Sequence, residues 1–198
     1  GMLDAGGSLL WQKAMGSFSG SSDLASTGAG AARIGTDGFV MTGWKLSFAD
    51  ANEAWVVRMD GGGSVLWQKG IGQDDYGEAR DVVETRDGDL IIAKGSYVIE
   101  PFTEEYDIQI LKLSSTGELV WRWSYDSSPH DFDGPVIEMR TGIIVFSGVA
   151  GSWEEWAEPI LVGIDGEGDI LWQRIYGLPG FGFISNLVES FDGGLIVV

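Results

Sequence analysis

A chain of 198 residues, 44% of them hydrophobic, can bury a core of its own and is not a disordered chain. Thirty acidic against twelve basic side chains give a formal charge of −18, which repels phosphate backbones and anionic lipid and argues against nucleic acid and bare membrane as partners. With no cysteine there is no disulfide framework and no thiolate chemistry, and no apolar run approaches the roughly 18 residues of a membrane-crossing helix.

The stretch 4–13, Asp-Ala-Gly-Gly-Ser-Leu-Leu-Trp-Gln-Lys, returns nearly unchanged at 60–69, keeps its frame at 114–123 and most of it at 165–174. Gly7, Gly63, Gly117 and Gly168 each stand four residues before a tryptophan: Trp11, Trp67, Trp121 and Trp172. Those tryptophans are 56, 54 and 51 residues apart, and a period of that size marks an array of modules. Each period reads as four short strands parted by turns. The first full set falls near 24–35, 39–46, 54–60 and 64–71, the next at 79–84, 90–94, 107–113 and 118–124. Arg86-Asp87-Gly88-Asp89 reads as a tight turn, since Asp-Gly tolerates the positive φ of a two-residue hairpin. Asp37-Gly38, Thr141-Gly142 and Asp192-Gly193 take the same place in the other periods. No stretch carries a helical period. The repeats lie near 1–23, 24–77, 78–132, 133–182 and 183–198, in one domain, with a fourth strand first (8–15) and a second strand last, at Val198.

Four antiparallel strands joined by hairpins make the blade of a β-propeller. One such sheet cannot cover both of its faces, so blades stack and bury them mutually. Trp11, Trp67, Trp121 and Trp172 are expected to pack between blades, each burying about 150–250 Å². The frame Asp-x-x-Gly-x-[Leu/Val]-[Leu/Val]-Trp, preceded by a strand such as 55–59 (Trp-Val-Val-Arg-Met), resembles the tryptophan-docking repeat of quinoprotein-like propellers. It is also similar to the repeat of large secreted microbial propeller proteins, which place Asp-Gly or Asp-Gly-Gly in the following hairpin. The resemblance implies an all-β propeller of about four blades per chain, the first and last incomplete, in an extracellular or cell-surface setting. Its motif is structural and transfers no catalytic residue. No leader is visible, and Gly1-Met2 reads as a scar behind which one was removed. Propellers of these groups close with more blades, so the chain reads as a fragment or half-ring. Its ends look like complementary parts of one blade; within one chain they would close a strained four-bladed ring, and a head-to-tail homodimer of about eight blades is the favoured expectation.

Turns after second and fourth strands share one face, and those at 44–53, 96–106 and 150–158 are long. Long loops on a rigid scaffold concentrate function. Trp44, Tyr97, Tyr106, Trp153 and Trp156 fall on them and form the expected ligand-binding face, for a protein or a carbohydrate. Glu53, Asp107 and Glu158 share one register position ahead of the third strands, and an oxygen-only ring of that kind suits calcium. Taken singly, each acid is more usually a solubilising or capping carboxylate. Asp74-Asp75 and the Asp131, Asp133 pair lack the spacing of a calcium loop. His130 is the sole histidine and no serine nucleophile motif accompanies it, so no triad is expected. Acids are too numerous for any one pair to mark a glycosidase. Several of the twelve Lys and Arg, such as Arg58 and Lys112, sit in repeated strand positions, leaving few for a quinone cofactor. The sequence thus favours a non-catalytic interaction or ligand-binding scaffold without a resident cofactor other than calcium. The alternative is a quinoprotein-like (PQQ) or carbohydrate-active enzyme fragment.

Overall fold

The computed structural model describes residues 2–13, 26–36, 38–46, 52–71, 77–100, 103–125, 132–150, 158–177 and 182–198. Their regular structure is all strand, and none of it is a helix long and apolar enough to cross a membrane. A two-stranded sheet comes first, β1 (Met2–Leu3) with β2 (Leu9–Trp11). Three four-stranded antiparallel sheets follow, each with its strands side by side in chain order. The first holds β3 (Ser26–Ile34), β4 (Gly38–Leu46), β5 (Asn52–Asp60) and β6 (Val65–Ile71). The second holds β7 (Ala79–Glu84), β8 (Leu90–Glu100), β9 (Thr103–Leu113) and β10 (Leu119–Tyr125). The third holds β11 (Phe132–Glu138), β12 (Ile144–Ala150), β13 (Glu158–Ile164) and β14 (Ile170–Ile175). A second two-stranded sheet, β15 (Leu187–Glu189) with β16 (Leu195–Val197), comes last.

One hairpin design recurs. Asp60 N–H bonds Ser64 O at 3.0 Å, Gly63 N–H bonds Asp60 O at 3.0 Å, and Gly63 has φ +80°. The loop therefore has three residues, with a turn closed by a left-handed glycine that restores the strand twist. Thr85–Asp89 is built the same way around Gly88, so the two-residue turn expected at Asp87-Gly88 is corrected to three. The aspartate that opens the frame is a local cap: Asp60 Oδ1 accepts from Ser64 N–H at 2.7 Å, and Asp165 Oδ1 from Asp169 N–H at 2.9 Å. Between β3 and β4 the positive φ belongs to Gly35, and Gly38 opens the strand instead of turning the chain.

First strands of successive sheets lie together: β3 packs on β7, β7 on β11, and β11 on β15. The approach is close, for a Cβ on Gly30 would stand 2.7 Å from Arg80 O. Ile34, Val40 and Val56 meet Val82, Leu90 and Ile92 in one core. Ile91, Ala93 and Ile110 meet Val136, Phe146 and Val162 in the next. The middle sheet is thus covered on both faces, which accounts for its unbroken Leu90-Ile91-Ile92-Ala93 run where an alternating pattern would serve a half-exposed sheet. Met139, Val145 and Leu161 carry Leu187 of the last small sheet.

Candidate functional site

The repeated residues make joints between sheets. Trp11 Nε1 donates to Gly61 O at 3.1 Å, Trp67 Nε1 to Ser115 O at 3.2 Å, and Trp121 Nε1 to Gly166 O at 3.0 Å. Each indole also lies on a hairpin glycine of the following sheet. A Cβ on Gly63 would stand 3.0 Å from the Trp11 ring, and one on Gly117 3.2 Å from the Trp67 ring. The glycine is therefore required twice, by its positive φ and by the ring above it. Trp172 lies over Gly163 and against the cluster that holds Leu187.

A second set of joints lies at the other hairpins. Gly35, Arg86 and Arg140 donate backbone N–H groups to Glu84, Glu138 and Glu189 at 2.6, 2.9 and 2.8 Å. Arg140 reinforces its joint with an ion pair to Glu189 at 3.2 Å and a bond to Ser190 O at 2.6 Å. Deeper in, Asp81 accepts Val136 N–H at 2.9 Å, where β11 bulges. Burial pushes the Asp81 carboxyl above the ordinary carboxylate range, against the pull of the Val136 and Val82 N–H groups. On the hairpin itself, the Thr85 hydroxyl and then Lys112 hold Asp87 below that range. Burial pulls Lys112 down, yet Asp87 at 3.1 Å and Asp89 at 3.4 Å hold it above its ordinary value. These polar groups are accounted for by joining sheets and fixing turns.

The opposite end of the second sheet differs. Residues 96–100 and 103–106 are not an open loop: β8 and β9 stay paired out to Glu100 and Thr103 as a projecting arm. Tyr97 and Tyr106 face each other across it, their rings stacked at 4.3 Å and 23°. At its base Lys94 is fully buried, and Ser96 and Gln109 are buried beside it in sequence register. Paired positions put Lys94 where the other sheets have Gly43 and Gly148, and Gln109 where they have Trp55 and Ile160. The Lys94 ammonium reaches back to the segment that leads into β7, 2.9 Å from where a Cβ on Gly77 would be. A buried ammonium is costly to desolvate, so a polar set at this one base stands apart from the repeat. Sequence reasoning passed over Lys94 as a strand end. The available signal was the broken parallel between Thr42-Gly43, Ala93-Lys94 and Ser147-Gly148.

The other expected site residues are dispersed. Trp44 is half-buried within β4, opposite Ala54, and is not on a loop. Glu53 lies in β5 opposite Lys45, its carboxylate filling the space a Cβ on Gly70 would take. Asp107 lies in β9 opposite Ser96, and Glu158 opens β13 opposite Ala150. Their register does match, each seven residues ahead of Asp60, Ser114 or Asp165. Among the described residues, however, no three His, Cys, Asp or Glu side chains come together as a metal site, so these carboxylates stay on separate sheets. Trp153, Trp156, His130, Asp74, Asp75 and Asp131 lie outside the described residues, and Asp133 is in β11. No protein-family model matches the chain, and no curated protein sequence matches it.

Proposed function

We propose that the chain is a run of β-propeller blades acting as a non-catalytic binding scaffold, secreted or displayed at a cell surface, that takes a protein or carbohydrate ligand at the β8–β9 arm. The propeller reading is supported by three like sheets, by first strands gathered along one side, and by the tryptophan joints that the docking-repeat resemblance anticipates. The observation that carries the binding reading is the arm, where β8 and β9 stay paired out to Glu100 and Thr103 and Tyr97 stacks on Tyr106 across them. Aromatic faces offer apolar contact to a sugar ring or a side chain. The chain's charge of −18 favours neutral or cationic ligands.

Thermal melting against a glycan panel, calcium and PQQ tests this, because a ligand that binds only the folded state must raise the melting temperature. A rise with at least one glycan is expected, and its loss in a Tyr97→Ala, Tyr106→Ala variant. A rise with PQQ would replace the scaffold with the quinoprotein-like alternative. A calcium rise abolished by Glu53→Ala, Asp107→Ala and Glu158→Ala together would establish the carboxylate ring as a metal site.

A further inference from the structure

We propose that Tyr97 and Tyr106 are a site of oxidative cross-linking, at which a one-electron oxidant joins the two phenols into a dityrosine that staples β8 to β9. The inference rests on the pairing of these two strands, and on neither the propeller nor the ligand reading of the chain.

The backbone sets the pair. β8 and β9 form one antiparallel ladder from Leu90 opposite Leu113 out to Glu100 opposite Thr103, with no bulge between. Tyr97 and Tyr106 are therefore direct cross-strand partners, and strand alternation puts both side chains on the same face. Their ring centroids stand 4.3 Å apart with planes 23° from parallel, so the rings stack. The contacts of Tyr125 differ in kind. It meets Trp123 at 5.8 Å and 39°, and Phe146 at 6.4 Å and 71°, so no phenol faces its phenol there. In the first sheet the same paired position holds Leu46 opposite Asn52, so the repeat itself does not call for two tyrosines.

Stacked phenols have a chemistry that other aromatic pairs lack. Each gives one electron and its hydroxyl proton to the oxidant, which leaves a phenoxyl radical with spin on the carbons ortho to oxygen. Two such radicals on facing rings combine in a new carbon–carbon bond between ortho carbons. The hydrogens on those carbons then move to the oxygens and restore both phenols. With hydrogen peroxide as oxidant, acting through a haem peroxidase, two phenols and one peroxide give one biphenol and two waters. Rings held in contact react at a very high effective concentration, whereas chains of charge −18 repel one another. Coupling within the arm therefore outruns coupling between chains. Both rings keep part of their surface in solvent, so the oxidant has access. The bond has a structural use as well. Strand ends that run beyond a packed core are where a sheet opens first, and a chain without cysteine cannot hold this one by a disulfide.

Treating the full chain at micromolar concentration with hydrogen peroxide and a haem peroxidase tests the site. The blue fluorescence of dityrosine is expected, from a chain that still runs at 21.3 kDa in denaturing electrophoresis. Tryptic cleavage after Lys94 and Lys112 releases residues 95–112 as one peptide holding both rings, and its mass should fall by that of two hydrogens. Tyr97→Phe and Tyr106→Phe keep a ring in the stack and remove a phenol. Each is expected to retain the β-sheet circular dichroism spectrum and to lower dityrosine within the chain by at least about ten-fold. Tyr176→Phe, at the more exposed position, should leave the yield unchanged. Linked chains of twice the mass as the main product, dityrosine that survives Tyr97→Phe, or a 95–112 peptide of unchanged mass would each overturn the site.

Discussion

The two ends of the second sheet show opposite uses of the same scaffold. At the hairpin end, Glu84, Arg86 and Ser115 have counterparts in neighbouring sheets, and each bonds to an adjacent sheet. At the arm end, Lys94, Gln109 and the Tyr97–Tyr106 stack have no counterparts among the described residues, and the arm projects beyond the joints. What recurs holds sheets together, and what breaks the recurrence lies at the arm. Changes at the hairpin end should therefore cost stability with no effect specific to a ligand, and changes on the arm should do the reverse.

The largest effect is expected from Trp67→Ala. The substitution deletes a half-buried indole, its bond to Ser115 O and its cover over Gly117, and should lower unfolding free energy by about 3 kcal/mol in urea titrations. Gly117→Val comes next, at about 2–3 kcal/mol. It combines the left-handed backbone penalty for a branched residue with a collision against the Trp67 ring, whereas Gly88→Ala, with open space around it, should cost only the backbone share of about 1 kcal/mol. Their difference measures the seat apart from the turn. Glu138→Gln, which weakens the acceptor for Arg86 N–H, should cost about 1 kcal/mol and leave ligand-induced melting shifts unchanged.

Acid titration gives a smaller and signed test. Asp87 is held low, so its contribution is present above the ordinary value of 3.8 and is lost as pH falls through the folded pKa. Asp81 is held high, so its contribution is complete below 3.8 and is lost as pH rises through the folded pKa. Melting followed from pH 6 to pH 3 should therefore fall less steeply in Asp87→Asn than in the unaltered chain. An unchanged slope would remove Asp87 from the hairpin's account. The smallest stability effect belongs to the arm, where Tyr97→Ala should cost below about 1 kcal/mol, as cross-strand pairs do. A loss of several kcal/mol there would make the arm a structural joint like the others.

The strand pattern was legible wherever one face meets a core. The expected strand at 79–84 coincides with β7, and the turn glycines Gly88, Gly142 and Gly193 all have positive φ. Strand ends were less legible. Backbone pairing continues past the last buried apolar residue, so Trp44, Glu53, residues 96–100 and residues 103–106 looked like loops although they sit in ladders. The three-residue hairpins differ from the expected two-residue turns by one ladder bond that composition does not reveal. Matching register for Glu53, Asp107 and Glu158 was readable by counting. Their separation was not, because equal register on successive sheets leaves side chains on different sheets without bringing them together. Lys94 was hidden by its type, since a lysine at a strand end is usually solvated.

The joints between sheets bear on how such a gene lengthens. A ring supplied by one period rests on a glycine supplied by the next, so no single period contains a whole joint. An in-frame tandem duplication of one full period, wherever its breakpoints fall, recreates every contact at the new boundary. A duplication of part of a period leaves an indole or a glycine stranded. Viable size variants of this polypeptide should accordingly differ by whole steps of about 51–56 residues, the observed spacings of its tryptophans.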